Sequence, residues 1–216
     1  MKLPIFSKIT AKYPQETELD KIVCAIRESK RIKSFCEERR KLLARGRKNQ
    51  ADNIKKTKIP VFCPGAFLFD GKGRKDVIGL TNLCFLETEH ITEDLILEAK
   101  GILYKDKHIV LCYRSMSNNG LHFLVKYKFK NMDTPSYKNM GLDRMNHTYG
   151  AVFTTLEAYY HELLGMSIDP SGANMERLCL LAADEDVYYN PDATPMILEY
   201  QCQDLKKKPM KLQLEE

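Results

Sequence analysis

The apolar residues of this chain keep one period before Ile59-Pro60 and another after it. Upstream, Leu19, Ile22, Val23 and Ile26 fall at i, i+3, i+4 and i+7, which makes one stripe of a helix over Glu18 to Ser29. Ser34 and Glu37 form a capping-box pair that opens a second helix, Phe35 to Ala44, and Gly46 is its stop. Asn49 to Lys58 reads as a third, weaker helical stretch, so the first 58 residues read as helices. Pro60 then pushes Ile59 toward extended geometry.

Downstream the elements are strand-sized. Val61 to Phe69 is extended around Pro64-Gly65, and Asp70 to Gly73 is a turn. Val77 to Glu87 is the first long strand. Thr92, followed by Glu93 and Asp94, caps a helix that runs to Tyr104. Lys107 to Arg114 and Leu121 to Phe129 form a hairpin around Ser115 to Gly120. Arg144 to Leu164 is a long helix ended by Gly165, and Arg177 to Ala182 is a fourth strand. Asp186 to Tyr189 is a candidate extension of the sheet. The order is β-α-β-β-α-β, the ferredoxin-like unit shared with RNA-recognition domains. It predicts an α+β fold with an antiparallel sheet and both helices on one face. The segmentation predicted is a basic N-terminal helical extension (1–58), an α+β domain (59–200) and a loose C-terminal tail (201–216).

Charge follows the same boundary. Residues 21–58 hold 14 Lys and Arg against 4 Asp and Glu, whereas the rest of the chain is net acidic. A basic segment on a mildly acidic body suits a polyanion such as nucleic acid, with DNA the expected form; a solvated helical face is the ordinary alternative. Arg39, Arg40, Arg45, Arg47 and Lys48 are its candidate contacts. The seven Cys form no C-x-x-C pair, so a structural zinc site and a disulfide scaffold are both disfavoured. No window nears the ~18 apolar residues of a membrane helix. The N-terminus lacks an apolar signal core, so a cytoplasmic protein with reduced thiols is expected.

The predicted unit also locates a site. Strand directions bring the end of strand one, the hairpin loop and the approach to strand four to the same edge. Those places carry Glu87 and Glu89, then Ser115, Ser117, Asn118, Gly120 and His122, then Asp169. Two carboxylates at i, i+2 share a strand face. With a third from a distant segment they form the oxygen set that Mg²⁺ or Mn²⁺ takes. A His beside a turn of Ser and Asn could hold phosphates. Arg177, eight residues after Asp169, could grip a phosphate bidentately or pair with Glu176, Asp184 or Glu185 at the surface. Singly, each has an ordinary reading: a solvated strand-end Glu, a turn Asp before Pro170, a strand His.

These residues resemble a known pattern. Leu86-Glu87-Thr88-Glu89, Gly120-Leu121-His122 and Ile168-Asp169 are similar, in order and type, to the three motifs of archaeo-eukaryotic primase-like (prim-pol) proteins. More closely, the chain resembles the N-terminal domain of bacterial virulence-associated protein E-type mobile-element proteins. Lys58 to Val61, Gly65 to Phe67, Gly79 to His90, Ser115 to Lys126 and Ile168 to Asn190 carry that likeness, most tellingly Glu176 to Leu181 and Asp186 to Asn190. The resemblance implies a primase-like palm and a nucleotidyltransferase that uses nucleic acid and nucleoside triphosphates. It implies Glu87, Glu89 and Asp169 as metal ligands, His122 near nucleotide phosphates, and a helicase-type replication partner. The family pattern prefers Asp-x-Asp, and Glu87-Thr88-Glu89 departs from it. One extra methylene displaces each carboxylate by over ~1 Å, and Mg²⁺ tolerates little distortion. A degenerate, binding-only member therefore stands as the alternative.

Two other readings compete. Asn119 to Val125 resembles the third-strand motif of an RNA-recognition domain but lacks its leading basic residue and first aromatic. A replication-initiator nickase would place a Tyr, here Tyr159 or Tyr160, beside a His-x-His strand, but the second His position is Leu124.

Overall fold

The computed structural model describes residues 1–200 and 212–214. The chain opens with two strands, β1 (Lys2–Phe6) and β2 (Gln15–Glu18), paired antiparallel. This corrects the helical expectation for the first 18 residues. β1 also pairs with residues 61–62, some 55 positions downstream, and a pairing that distant leaves no local periodicity to read.

Three helices follow: α1 (Leu19–Glu28), α2 (Lys30–Ala44) and α3 (Lys48–Thr57). The stripe Leu19, Ile22, Val23 and Ile26 is buried, as its spacing predicts. The start of α2 is not Ser34 but Ser29, whose hydroxyl accepts from the Ile32 N–H. One extended residue thus ends α1 and caps α2, and Ser34 lies within the helix. Gly46, at φ +69°, follows α2 as expected.

Four strands come next: β3 (Val61–Phe62), β4 (Ala66–Leu68), β5 (Val77–Leu80) and β6 (Leu83–Thr88). The single strand expected over Val77 to Glu87 is broken at Thr81-Asn82, where Asn82 takes φ +64°. The break sends β5 to pair with β4 and leaves β6 to the central sheet. Then come α4 (Glu93–Leu103), β7 (Ile109–Arg114), β8 (Leu121–Phe129), α5 (Tyr137–Met140) and α6 (Leu142–Leu164). Thr92 caps α4, and Gly165 closes α6 at φ +63°. The last strands are β9 (Cys179–Leu180), β10 (Tyr188–Tyr189), β11 (Met196–Tyr200) and β12 (Leu212–Leu214).

The fold is α+β. In the central sheet β8 lies between β6 and β7, antiparallel to both, and β10 pairs with the free side of β7. β11 runs parallel to the far end of β8 and carries β12. The segment expected as a fourth central strand departs from this plan. Only Cys179-Leu180 is extended, and it pairs with β3 in a second sheet ordered β2-β1-β3-β9. The edge of β6 instead receives the Asp169 N–H, on the Glu87 carbonyl. Pro170, with no N–H to donate, stops further pairing and opens a short 3-10 turn. Of the tail expected to be loose, residues 212–214 form β12, and the remaining positions lie outside the described residues.

Alternation decides what each sheet face meets. Cys84 and Leu86 of β6 and Leu121 and Phe123 of β8 pack with Ile96 and Ala99 of α4 and Val152 and Leu156 of α6. Phe85 and Leu124 face the other way and share a cluster with Ile22, Val23, Ile26, Ile32 and Cys36. The face left open by a bare β-α-β-β-α-β unit is thus covered by α1, α2 and the second sheet. Glu87 and His122 continue the Phe85 and Leu124 faces, so they point into this covered layer. Among the described residues, no helix is long and apolar enough to cross a membrane.

Candidate functional site

Register sets the first contact. Glu87 of β6 stands opposite His122 of β8, which stands opposite Tyr113 of β7. The Glu87 carboxylate lies 3.2 Å from His122 Nε2, and both residues are about 95 % or more buried. Its other oxygen accepts from Arg177 Nη2 at 2.7 Å and from the Ser171 hydroxyl at 3.1 Å. His122 Nδ1 lies 3.5 Å from Cys179 Sγ, which is 3.0 Å from the Tyr113 hydroxyl. Phe85 and Tyr113 meet the imidazole edge-on.

The electrostatics follow from this pairing. Burial pushes the Glu87 carboxyl up, but His122 and Arg177 outweigh it and hold it down at about 2. Burial favours neutral His122, but the Cys179 thiol and the Glu87 carboxylate reverse that and push it up to about 10. At neutral pH the centre is therefore one buried carboxylate between two cations.

Around this centre is a narrow cleft of about 50 Å³. Glu87, His122, Arg177, Ser115, Ser117 and Glu89, all named from the sequence, line it. Arg39 and Lys55 enter from α2 and α3. Arg39 belonged to the predicted surface contacts, yet it is 8 % exposed and donates to the Ser117 hydroxyl at 2.8 Å. Arg40 is half-buried, and Arg45, Arg47 and Lys48 are exposed away from the cleft lining. Arg177 pairs with Glu87 rather than with Glu176, Asp184 or Glu185. Sequence reasoning missed Lys55, Ser171, Tyr113 and Cys179 at this place. Lys55 carries no signal apart from its neighbours in the basic run. Cys179 could have been found from strand alternation two residues past Arg177.

The predicted metal ligands do not assemble. The Asp169 side chain accepts from the Ser171 N–H and caps the 3-10 turn, although its backbone touches Glu87. Glu89 lies past the end of β6, half exposed, with His90 3.9 Å away. Both Glu87 oxygens are committed to cations or hydroxyl. Among the described residues, no group of three or more His, Cys, Asp and Glu side chains is arranged to hold a metal ion. The donor set therefore does not fit Mg²⁺ or Mn²⁺ as it stands, because a divalent ion would have to displace Arg177 or His122.

The turn between β7 and β8 also constrains the site through its backbone. Asn118 is exposed at φ +61°, a conformation Asn tolerates. A Cβ on Gly120 would lie 2.0 Å from the Thr88 carbonyl oxygen, so only glycine allows β8 to start this close to β6. Gly120→Ala is expected to lower stability by about 1–3 kcal/mol and to loosen the Glu87–His122 pair. A denaturant melt with the His122 ring NMR signal would check both. The candidate nickase tyrosine Tyr160 is fully buried, and its hydroxyl donates to Asp106 at 2.7 Å. It belongs to the helix–sheet core.

The family model for the BT4734-like N-terminal domain matches residues 54–189, more than half of the chain. The chain belongs to this family. The domain family is linked to mobile-element proteins. No curated protein and no solved structure matches the chain. The stretch matching the BT4734-like domain contains Glu87, His122, Arg177 and Lys55, while Arg39 lies outside it.

Proposed function

We propose that this BT4734-like domain is a primase-like module of a bacterial mobile-element protein that binds nucleic acid, and that its acidic centre organises cations for phosphate instead of holding metal. The observation that carries this reading is the Glu87 carboxylate held between Arg177 and His122 at 2.7 and 3.2 Å. A carboxylate in that state anchors a guanidinium and an imidazolium at the cleft, where Arg39 and Lys55 add two more cations. The exposed Arg45, Arg47 and Lys48 add positive charge at the turn between α2 and α3. Backbone phosphates are the ligands such a surface suits.

Two measurements test it together. Single-stranded DNA should bind with an affinity that falls steeply with salt. Changing Arg40, Arg45 and Arg47 to Glu should weaken binding at least tenfold and flatten the salt slope by about three. Affinity untouched by the reversals removes the basic segment from the account. A labelled-nucleotide incorporation assay with Mg²⁺ and with Mn²⁺ should show no product. Incorporation lost in Glu89→Ala would establish the nucleotidyltransferase reading in place of the binding one.

A further inference from the structure

We propose that the cleft receives a doubly ionised terminal phosphate group, a phosphomonoester, held by Arg39, Ser115 and Arg177. The proposal rests on the phosphate-binding reading above and names the form of phosphate. It begins with unmet hydrogen bonds. Among the described residues, Arg39 Nε, Ser115 Oγ and Arg177 Nε are buried polar atoms without a partner, and all three residues line this cleft. A buried donor left unpaired costs about 1–3 kcal/mol, and native proteins rarely keep several together. Arg39 and Ser115 are each only 8 % exposed, so bulk water does not relieve them. A compact ligand rich in acceptor oxygens would offer all three a partner once these side chains turn toward it.

Charge selects an anion. Arg39, Lys55, Arg177 and protonated His122 face two carboxylates, Glu87 and Glu89. Glu87 is already neutralised by its two partners, and Glu89 sits half exposed at the rim. The surplus is two positive charges. A monoester phosphate carries about −1.5 to −2 at neutral pH because its second pKa is near 6. An internal phosphodiester carries a single charge.

Size selects the end of a chain over its middle. The cleft holds about 50 Å³. One water needs ~10–15 Å³ of such space, and pockets that bury whole ligands measure ~300–1,000 Å³. The floor of the cleft has the dimensions of one small tetrahedral group. A diester bears a sugar on each side and cannot bring its phosphorus to the floor. A terminal phosphate has one ester arm, which can leave through the open mouth past Glu89. A polynucleotide end carries such a monoester, and the γ-phosphate of a nucleoside triphosphate, though linked by an anhydride, presents the same terminal dianion.

Arg39 is the decisive residue. It reaches the cleft from α2, outside the stretch matched to the family, and fixes the turn by donating to Ser117. The N-terminal helices therefore complete the site as well as covering the sheet.

The test compares one single-stranded oligonucleotide carrying either a 5′-phosphate or a 5′-hydroxyl, read by fluorescence anisotropy, with pyrophosphate and ATP as competitors. The phosphorylated end should bind at least tenfold tighter, and pyrophosphate should abolish the difference. Arg39→Met should remove the preference, Arg39→Lys should keep part of it, and the milder Ser115→Ala should reduce it in a protein with a wild-type melt. Competition by ATP at micromolar concentration without any end preference would assign the phosphate to a free nucleotide. Equal binding of both ends with no competition by ATP or pyrophosphate would overturn the proposal while leaving general nucleic-acid binding in place. If no oligonucleotide binds, the proposed function fails. The cleft is then judged by the melting shift with pyrophosphate alone: a rise lost in Arg39→Met supports it, and no rise overturns it.

Discussion

Glu87→Ala should destabilise the fold by about 3–5 kcal/mol, because it strands two buried or half-buried cations. Arg177 and His122 would lose their shared carboxylate, and the His122 ring is only 7 % exposed. The same pair sets the pH dependence. The Glu87 carboxyl is held at about 2 in the folded chain, below its usual value of 4.5. A lowered carboxyl contributes stability that is complete above 4.5 and lost as pH falls toward 2, in total about 3 kcal/mol. His122 works on the other side, with its folded value pushed up to about 10 from 6.5. Its contribution is complete below 6.5 and lost as pH rises toward 10. The two limbs describe one ion pair from its two ends and are not added. Stability should therefore form a plateau between about 4.5 and 6.5. Urea melts across pH 2–10 would check this, with Glu87→Gln expected to flatten the acid limb. An acid limb unchanged in Glu87→Gln would move the linkage to other carboxyls.

The second large effect lies at the opposite edge of the sheet. Lys100 of α4 and Asp184 form an ion pair at 2.9 Å, with side chains 8 % and 5 % exposed. Asp184 also accepts from the backbone N–H of Arg114 and of Asp186, and its own N–H caps α1 at the Ile26 carbonyl. The carboxylate thus ties α4, the end of β7 and the segment over α1 to one point. Asp184→Ala should cost about 3–5 kcal/mol, since it buries an unpaired ammonium and strands two N–H groups. Joining Lys100→Met to Asp184→Asn should recover more than half of that loss, because no charge is left unpaired and the amide oxygen still accepts. Urea midpoints of Asp184→Ala and of the double variant would show the recovery, and Lys100→Met and Asp184→Asn measured singly would complete the double-mutant cycle. Equal losses in the single and double variants would mean that the backbone contacts, not the ion pair, carry the effect.

Local chemistry made several elements legible before any fold was known. The Leu19-Ile22-Val23-Ile26 stripe, the Thr92 cap, the Gly165 stop and the hairpin around Ser115 to Gly120 all rest on neighbours within a few residues. Period two likewise put Glu87 and His122 on chosen faces, whereas Arg177, expected beside them on a fourth central strand, reaches Glu87 from the second sheet. Long-range pairing was not legible. Cys179-Leu180 fits β6 or β3 equally well by composition. The stop at Asp169-Pro170 closed the edge of β6, while β3, with β1 on one side only, kept its other side open to Cys179-Leu180. The same holds for Ser29 over Ser34, two capping residues separated by where α1 ends. The nature of the acidic centre was also out of reach. Glu87 and Glu89 look alike in the sequence as a pair of carboxylates. The sequence alone determined that Glu87 and His122 would share one end of the central sheet. The tertiary structure decided their state, because a buried carboxylate must take the nearest cations, and the layer of α1, α2 and β9 buries Glu87 beside Arg177 and His122.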